Sequence, residues 1–562
     1  MIARSAWVRS RSVASLSILL LATGSAGAPG AAKSAPAVSR KGMVSSAHPL
    51  ATRAGVEILR MGGNAFDAAV AVAAALNVVE PMMSGIGGYG TILVFDAKDR
   101  RVRFLNASGR IPAGLNPDVF REPYPNALAN RNGAAAVSTP GNLHAWEALS
   151  RERGRLSWEK LLEPAIRLAE AGFAIDERTA RAIERSFESF APSIRSFYGR
   201  DGRPLSAGER LVQGDLGRTL RRIAKDGPSA FYQGPIAESV VKTLGEHGGF
   251  LSMEDLRGDR SEWFEPIRVS YRGNEIYTAS PPSTAFPSLI RLGMMSRFDV
   301  AGLGHNTPEF LHRFIETTKH AFWCRLAYAG DPEVSPPPLG RLLSEPYWKE
   351  QAARIDMTRA RPFVYPGKGG PPDQHTTHFV VADADGHIVS ATQTLGNLFG
   401  SRIMPEGTGV WLNDSLAYCT FEPKGNPMDA HPGRRKLSGD CPTIIARDGR
   451  PWAALGTPGG HTIGQTVPQI VMNLVDFGMD VQRAIDAPRI SFIEPDEIAV
   501  EEAISAATLS RLEALGHKLY LVRKPGGLGN AHGLTIEYGR DGRPSAFAGG
   551  ADSRGSGLAE GR

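Results

Sequence analysis

Cysteine is scarce: Cys324, Cys419 and Cys441 are the only three in 562 residues. So few thiols exclude a disulfide-built scaffold. The 13 histidines and three cysteines form neither HExxH nor Cys-x-x-Cys, so no metal site and no cofactor are indicated. Cys419 and Cys441 could pair in an oxidising compartment, but buried free thiols are the expected state. Tandem repeats are absent, and no low-complexity linker interrupts the chain after Gly42. One intertwined domain is therefore expected, although the length would allow several. Charge of one sign is also lacking: 64 basic against 58 acidic residues leave a net +6, part of it from Arg4, Arg9 and Arg11. With no basic block interleaved with aromatics, nucleic acid is not an expected partner.

The N-terminus has arginines up to Arg11, an apolar run around Val13–Ala22, and small residues ending in Ala26-Gly27-Ala28. This reads as an export signal, residues 1–28, followed by an alanine- and serine-rich flexible leader, 29–41. The apolar run is short for a membrane span. Pro29 sits awkwardly after a cut at Ala28, and an uncleaved anchor is the alternative. Export would place the protein in a periplasm or outside the cell. With 42% hydrophobic and 22% charged residues, the remaining chain can bury a large core.

The most informative stretch is Gln374 to Gly400. Thr376-Thr377 heads an alternating β pattern that turns at Asp383-Ala384-Asp385-Gly386 and returns as a second strand reaching Thr394. A threonine hydroxyl is a weak nucleophile near neutral pH unless a base adjoins it. A threonine that begins a chain carries that base as its own α-amine, with a reference pKa of about 7.7–8.0. Attack of Thr376 Oγ on the His375 carbonyl would give, by an N→O acyl shift, an ester that water can hydrolyse, freeing that terminus. The plainer alternative is that Thr-Thr-His merely opens a strand, where β-branched residues are favoured.

Other segments supply a scaffold. Asn64 can cap a helix with Asp67 three residues on, and the apolar run to Val79 reads as a buried helix closed by Pro81. Trp452–Leu455 is a short apolar strand, followed by Gly456-Thr457-Pro458-Gly459-Gly460 and an apolar helix over about 463–475. The N–H groups of Gly459 and Gly460 can point at one oxygen and stabilise the oxyanion of acyl transfer, or the segment is an ordinary strand-to-helix turn. Strands such as Thr377–Val381 and Gly533–Tyr538 alternate with amphipathic helices such as Ser157–Glu170 and Pro308–Leu326.

Several blocks, taken in order, carry a resemblance. They are Gly42–Ser46 with His48-Pro49, Gly62–Ala69, Ser84–Gly88, Ser138–Gly141, Gly248–Leu251 with Asp255-Leu256, Thr376–His378, and Gly456–Gly460. In this shared order the chain resembles the γ-glutamyltransferase (glutathione hydrolase) family of N-terminal-nucleophile hydrolases from about Gly42 to Arg554. The resemblance implies an α+β, four-layer αββα sandwich made as one precursor. It also implies a cut between His375 and Thr376 into a large subunit, 42–375, and a small one, 376–562, which remain partners. Thr376 would be the nucleophile, Thr394 the hydroxyl that supports it, and Gly459 and Gly460 the oxyanion donors. Ser438 matches a serine that binds the substrate's α-carboxylate, though it can equally be a turn residue. The implied activity is hydrolysis, with transfer as a competing outcome, of γ-glutamyl groups of glutathione-type small molecules through an acyl-Thr376 intermediate.

The departures from the pattern fall on the glutamate reader. Where the family usually places an arginine four residues before a proline, this chain has Ser108 and offers Arg110, which either compensates or serves otherwise. The asparagine expected two positions after Thr394 is Gly396, with Asn397 one step later. Ser415 and Tyr418 stand where a glutamine and the amine-holding acidic residue are expected, and the second serine of the usual pair is Gly439. Losing two charge-assisted contacts of about 1.5–3 kcal/mol each costs roughly a hundredfold or more in recognition. A cephalosporin-acylase-like enzyme with a different acyl group is thus one alternative, and a catalytically silent binding protein on the same scaffold is another. The stretch Thr420–Arg435 is short for a lid, which favours water over an amine acceptor.

Overall fold

A computed structural model of the chain describes residues 35–121, 130–364, 375–523 and 527–562. The expected export signal and the first part of the leader lie outside them. Ala37–Ser39, expected to belong to that leader, forms strand β1 at a sheet edge. The strands that follow in the two large sheets are β2 (Gly42–Ser46), β3 (Tyr89–Asp96), β4 (Arg101–Ala107), β5 (Glu262–Phe264), β6 (Ile267–Tyr271) and β7 (Asn274–Thr278). Beyond residue 374 come β8 (His375–Asp383), β9 (Ile388–Gly396), β10 (Thr443–Arg447), β11 (Arg450–Gly456), β12 (His532–Tyr538), β13 (Pro544–Ala551) and β14 (Leu558–Gly561).

One seven-stranded sheet runs β14-β2-β8-β9-β3-β4-β5, and the other runs β1-β13-β12-β11-β10-β7-β6. Within both, neighbouring strands are antiparallel. Helices α1 (Pro49–Arg60) and α2 (Ala65–Val79) cover the outer face of the first sheet. Helices α3 (Phe286–Met295), α4 (Pro308–Tyr328) and α5 (Ile463–Val475) form the layer against the second. The result is the four-layer αββα sandwich with a mixed α+β composition. Among the described residues no helix is long and apolar enough to cross a membrane.

Local chemistry explains the central layers. The Asn64 side chain accepts from the N–H groups of Phe66 and Asp67 while Asp67 accepts from Asn64 N, a closed capping box. All fifteen residues of α2 are buried, as expected of a helix that is apolar all round. The turn of the β8–β9 hairpin docks on its start: Asp383 Oδ2 accepts from Ala65 N at 2.8 Å. Along β8 the side chains alternate between two cores. Phe379 and Val381 pack with α1 and α2, whereas Val380 and Ala382 pack with the second sheet.

A chain cut after His375 would leave both pieces in both sheets. β8 and β9, from beyond the cut, lie between β2 and β3, and β10 pairs with β7. The backbone ladders therefore join the two pieces along several strands.

Candidate active site

Thr376 and His378 point to the face of β8 that meets the second sheet, because Thr377 between them points the other way. Thr377 Oγ1 donates to Glu80 Oε2 at 2.7 Å, and Glu80 is held from its other oxygen by Arg178 at 2.8 Å. Burial raises the Glu80 carboxyl while Arg178 and Thr377 oppose the shift. Strand β8 is thus pinned from behind at Thr377 through a residue that sequence reasoning passed over. The only signal for it was an acidic residue before Pro81 at the end of an apolar helix.

Thr376 lies directly across from Thr394, and the ladder is irregular at the junction between His375 and Thr376. Thr376 Oγ1 donates to Thr394 Oγ1 at 3.3 Å. Thr394 Oγ1 in turn donates to the His375 carbonyl oxygen at 2.7 Å and accepts from Gly396 N at 2.8 Å. One hydroxyl therefore touches both the Thr376 hydroxyl and the His375 carbonyl. Both threonines are 3% exposed, so the relay is shielded from bulk water.

Gly396 is explained by its surroundings. Its φ is +108°, and a Cβ there would overlap the Asp414 carboxylate. Asn397 completes the clasp, with its N–H 2.9 Å from Asp414 Oδ1, its side-chain amide on Oδ2, and a further bond to Arg131 O at 3.3 Å. Burial pushes the Asp414 carboxyl up to about 7.

The glycine turn follows β11, on the facing sheet. Ser390, paired with Val380, donates to Leu455 O at 3.4 Å, and Gly456 is so close to the His378 ring that a Cβ would overlap it. From Leu455 to Gly456 the chain therefore advances towards the Thr376 end of β8. Gly459 and Gly460 follow with φ of +133° and +56°, and Gly460–Thr462 is a 3₁₀ turn leading into α5. Thr457 Oγ1 accepts from Asn530 N at 3.1 Å, which ties the turn to the segment before β12. That segment is held by Asp552, which accepts from Ala531 N and Arg489 at 2.8 Å each and from Arg554 at 3.0 Å.

Ser438 sits on the β3 side of the same face. Its Oγ donates to Asp440 Oδ2 at 2.8 Å and lies 3.1 Å from Thr91 Oγ1. Thr91 lies across from Thr392 on β9, which lies across from His378, so the Ser438 cluster and Thr376 share one face. At Gly439 a Cβ would overlap the Tyr418 hydroxyl, so Tyr418 in this position requires a glycine there. Tyr418 also lies 6.0 Å, ring to ring, from His461 beside the glycine turn, and it is buried.

The remaining expected residues are placed differently. Arg110 donates to Glu262 at 2.8 Å and to Gly433 O at 3.2 Å, and Ser108 is turned onto Asn106. Ser415 is buried against Ser138 Oγ, and its N–H donates to Asn413 Oδ1 at 3.1 Å. The three cysteines are buried and free.

Lys436 had no sequence signal beyond its place two residues before Ser438. It is fully buried, and its Nζ lies 3.1 Å from the centre of the Tyr89 ring. Burial lowers its ammonium and raises the Asp440 carboxyl.

Among the described residues two groups bring three metal-ligating side chains together, His312–Glu316–His517 and Asp383–Asp385–His387. In the first, His312 Nδ1 bonds His517 Nε2 at 2.8 Å and the Lys319 ammonium lies 3.5 Å from Glu316. In the second, Asp383 accepts N–H bonds that shape the hairpin turn. Both groups are spent on protein contacts.

Residues 51–561 match the gamma-glutamyltranspeptidase profile. The chain is 35% identical over 546 residues to the glutathione hydrolase proenzyme of Bacillus subtilis (strain 168), covering 93% of this chain and 92% of that one. It is 36% identical over 537 residues to the acylase ACY 1 proenzyme of Pseudomonas sp. (strain SE83), covering 92% and 95%. The solved cephalosporin acylase from Bacillus halodurans superposes with a TM-score of 0.86 at 29% identity, over 96% of this chain and 100% of that one.

Proposed function

This chain belongs to the gamma-glutamyltranspeptidase family and is the proenzyme of an N-terminal-nucleophile hydrolase; from that premise we propose that Thr376 cuts its own peptide bond and then serves as the nucleophile of an acylase. The observation that carries the reading is the hydroxyl relay from Thr376 through Thr394 to the His375 carbonyl.

In maturation, Thr376 Oγ attacks the His375 carbonyl carbon while the Thr394 hydroxyl donates to the carbonyl oxygen. The hydroxyl proton passes to the amide nitrogen as the C–N bond breaks, leaving an ester on Thr376 Oγ and a free α-amine. Water then releases His375 as the C-terminus of the large subunit. In turnover the amine takes the hydroxyl proton as Thr376 attacks a substrate amide, and the oxyanion is stabilised by the N–H groups of Gly459 and Gly460. The amine passes its proton to the leaving group, and water hydrolyses the acyl-Thr376 ester.

The acyl group is where this reading parts from γ-glutamyl. Arg110 is engaged by Glu262, Ser108 by Asn106, and Tyr418 fills the space beside Gly439, so the groups that would meet an α-amino acid are spent or altered. γ-Glutamyl hydrolysis is the second reading, favoured by Ser438 and by the name of the Bacillus subtilis relative. The arginine-rich apolar N-terminus supports export to a periplasm or the medium. Hydrolysis is expected to prevail over transfer.

Purified protein should run as two bands that become one in Thr376→Ala, which loses amidase activity. The processed enzyme should release p-nitroaniline faster from an acyl anilide without an α-amine than from γ-glutamyl-p-nitroanilide. The opposite preference supports the second reading, and a single band in unaltered, active protein overturns both.

A further inference from the structure

We propose that Lys436 is the protein's own substitute for a substrate α-ammonium, so that the pocket selects amides whose acyl chain bears a carboxylate but no amine beside it. This deepens the acylase reading above and rests on it.

Lys436 is fully buried, and among the described residues its Nζ has no hydrogen-bond partner. An ammonium in that state is costly unless neighbouring groups offset it. Here the Tyr89 ring lies 3.1 Å beneath the Nζ and the Tyr418 ring 5.7 Å away, a cation–π arrangement. Burial opposes its charge, while Asp440 and Asp414 are the carboxyls whose field favours it. Each carboxyl also has work in the site: Asp414 clasps Asn397 and Asp440 orients Ser438.

The register locates this cation. Tyr89 lies across from Thr394, which lies across from Thr376, so the three share one face over two strand spacings, about 10 Å. A short dicarboxylic acyl group on Thr376, extending along that row towards Ser438, brings its far end beside Lys436. An α-ammonium there would meet a like charge, and the nearby carboxyls already hold Asn397 and Ser438. A carboxylate meets no such conflict. Tyr418, standing where an acidic partner for an amine is expected, fits the same change.

The test compares glutaryl-p-nitroanilide with γ-glutamyl-p-nitroanilide, which differ only by the α-amino group. Unaltered processed enzyme should prefer the glutaryl compound in kcat/KM. Lys436→Met and Lys436→Gln should narrow that preference by about tenfold or more, mainly through KM, whereas Lys436→Arg should retain it. A ratio unchanged in the Met or Gln variant, with two bands proving that it folded and matured, overturns the proposal while leaving the acylase reading intact. Should neither variant mature, competition on the unaltered enzyme decides: glutarate should inhibit at lower concentration than L-glutamate, and equal inhibition overturns the proposal. A native preference for γ-glutamyl would sink the acylase reading itself and this inference with it.

Discussion

Replacing Thr394 by valine keeps the shape of the side chain and removes one hydroxyl. In the precursor that hydroxyl donates to the His375 carbonyl at 2.7 Å, receives the Thr376 hydroxyl at 3.3 Å, and accepts from Gly396 N at 2.8 Å. Loss of the donor at the carbonyl removes a bond that strengthens as negative charge develops there. Losses of this kind slow reaction by about 100- to 1,000-fold, or roughly 2.7–4 kcal/mol of barrier. The stranded Gly396 N–H adds a separate stability cost of about 1–3 kcal/mol, which lowers the melting temperature. Purified precursor, sampled over hours on a denaturing gel, gives the conversion rate, and a thermal melt gives the stability. Thr394→Ser, which keeps the hydroxyl, should mature at close to the native rate. Maturation of Thr394→Val at the native rate would refute the relay.

Two further outcomes concern the scaffold. Asp552→Ala leaves buried Arg489 and Arg554 without their shared carboxylate and should cost about 3–5 kcal/mol, read by thermal unfolding of the Thr376→Ala chain; a loss below about 1 kcal/mol would contradict the buttress beneath the glycine turn. Burial lowers His48 to about 4, while Leu50 N donates to its Nδ1 at 3.1 Å. Because the unfolded chain takes up this proton first, native His48 costs stability as the pH falls from about 6.5 towards 4, whereas His48→Asn keeps a cap without titrating. The variant should gain on the parent by up to about 3 kcal/mol over that window, and a gap independent of pH would dismiss the neutral buried histidine.

Local signals in the chain were enough for much of the frame. Asn64 and Asp67 form the expected cap, the hairpin turns at Asp383–Gly386, and the strand, glycine turn and helix from 450 to 475 occur in that order. These features depend on neighbours in sequence, so their chemistry is written where they lie. The resemblance named Thr376 and Thr394, and the register set them opposite one another. Long-range partners had no such signal. Glu80 reaches Thr377 from another layer, and Lys436 acquires meaning only when Tyr89 is folded beneath it. That Tyr418 leaves no room for a side chain at Gly439 needed three dimensions. Arg110 seemed available in the sequence because Glu262 is distant along the chain.

Intact-mass analysis of active protein, before and after reaction with a slow-turnover acyl ester, bears most directly on Thr376 as a self-liberated nucleophile. The account requires a small subunit that begins at Thr376 and gains the acyl mass on that residue. Active enzyme still continuous across His375–Thr376, or acyl mass carried on another side chain, would contradict it.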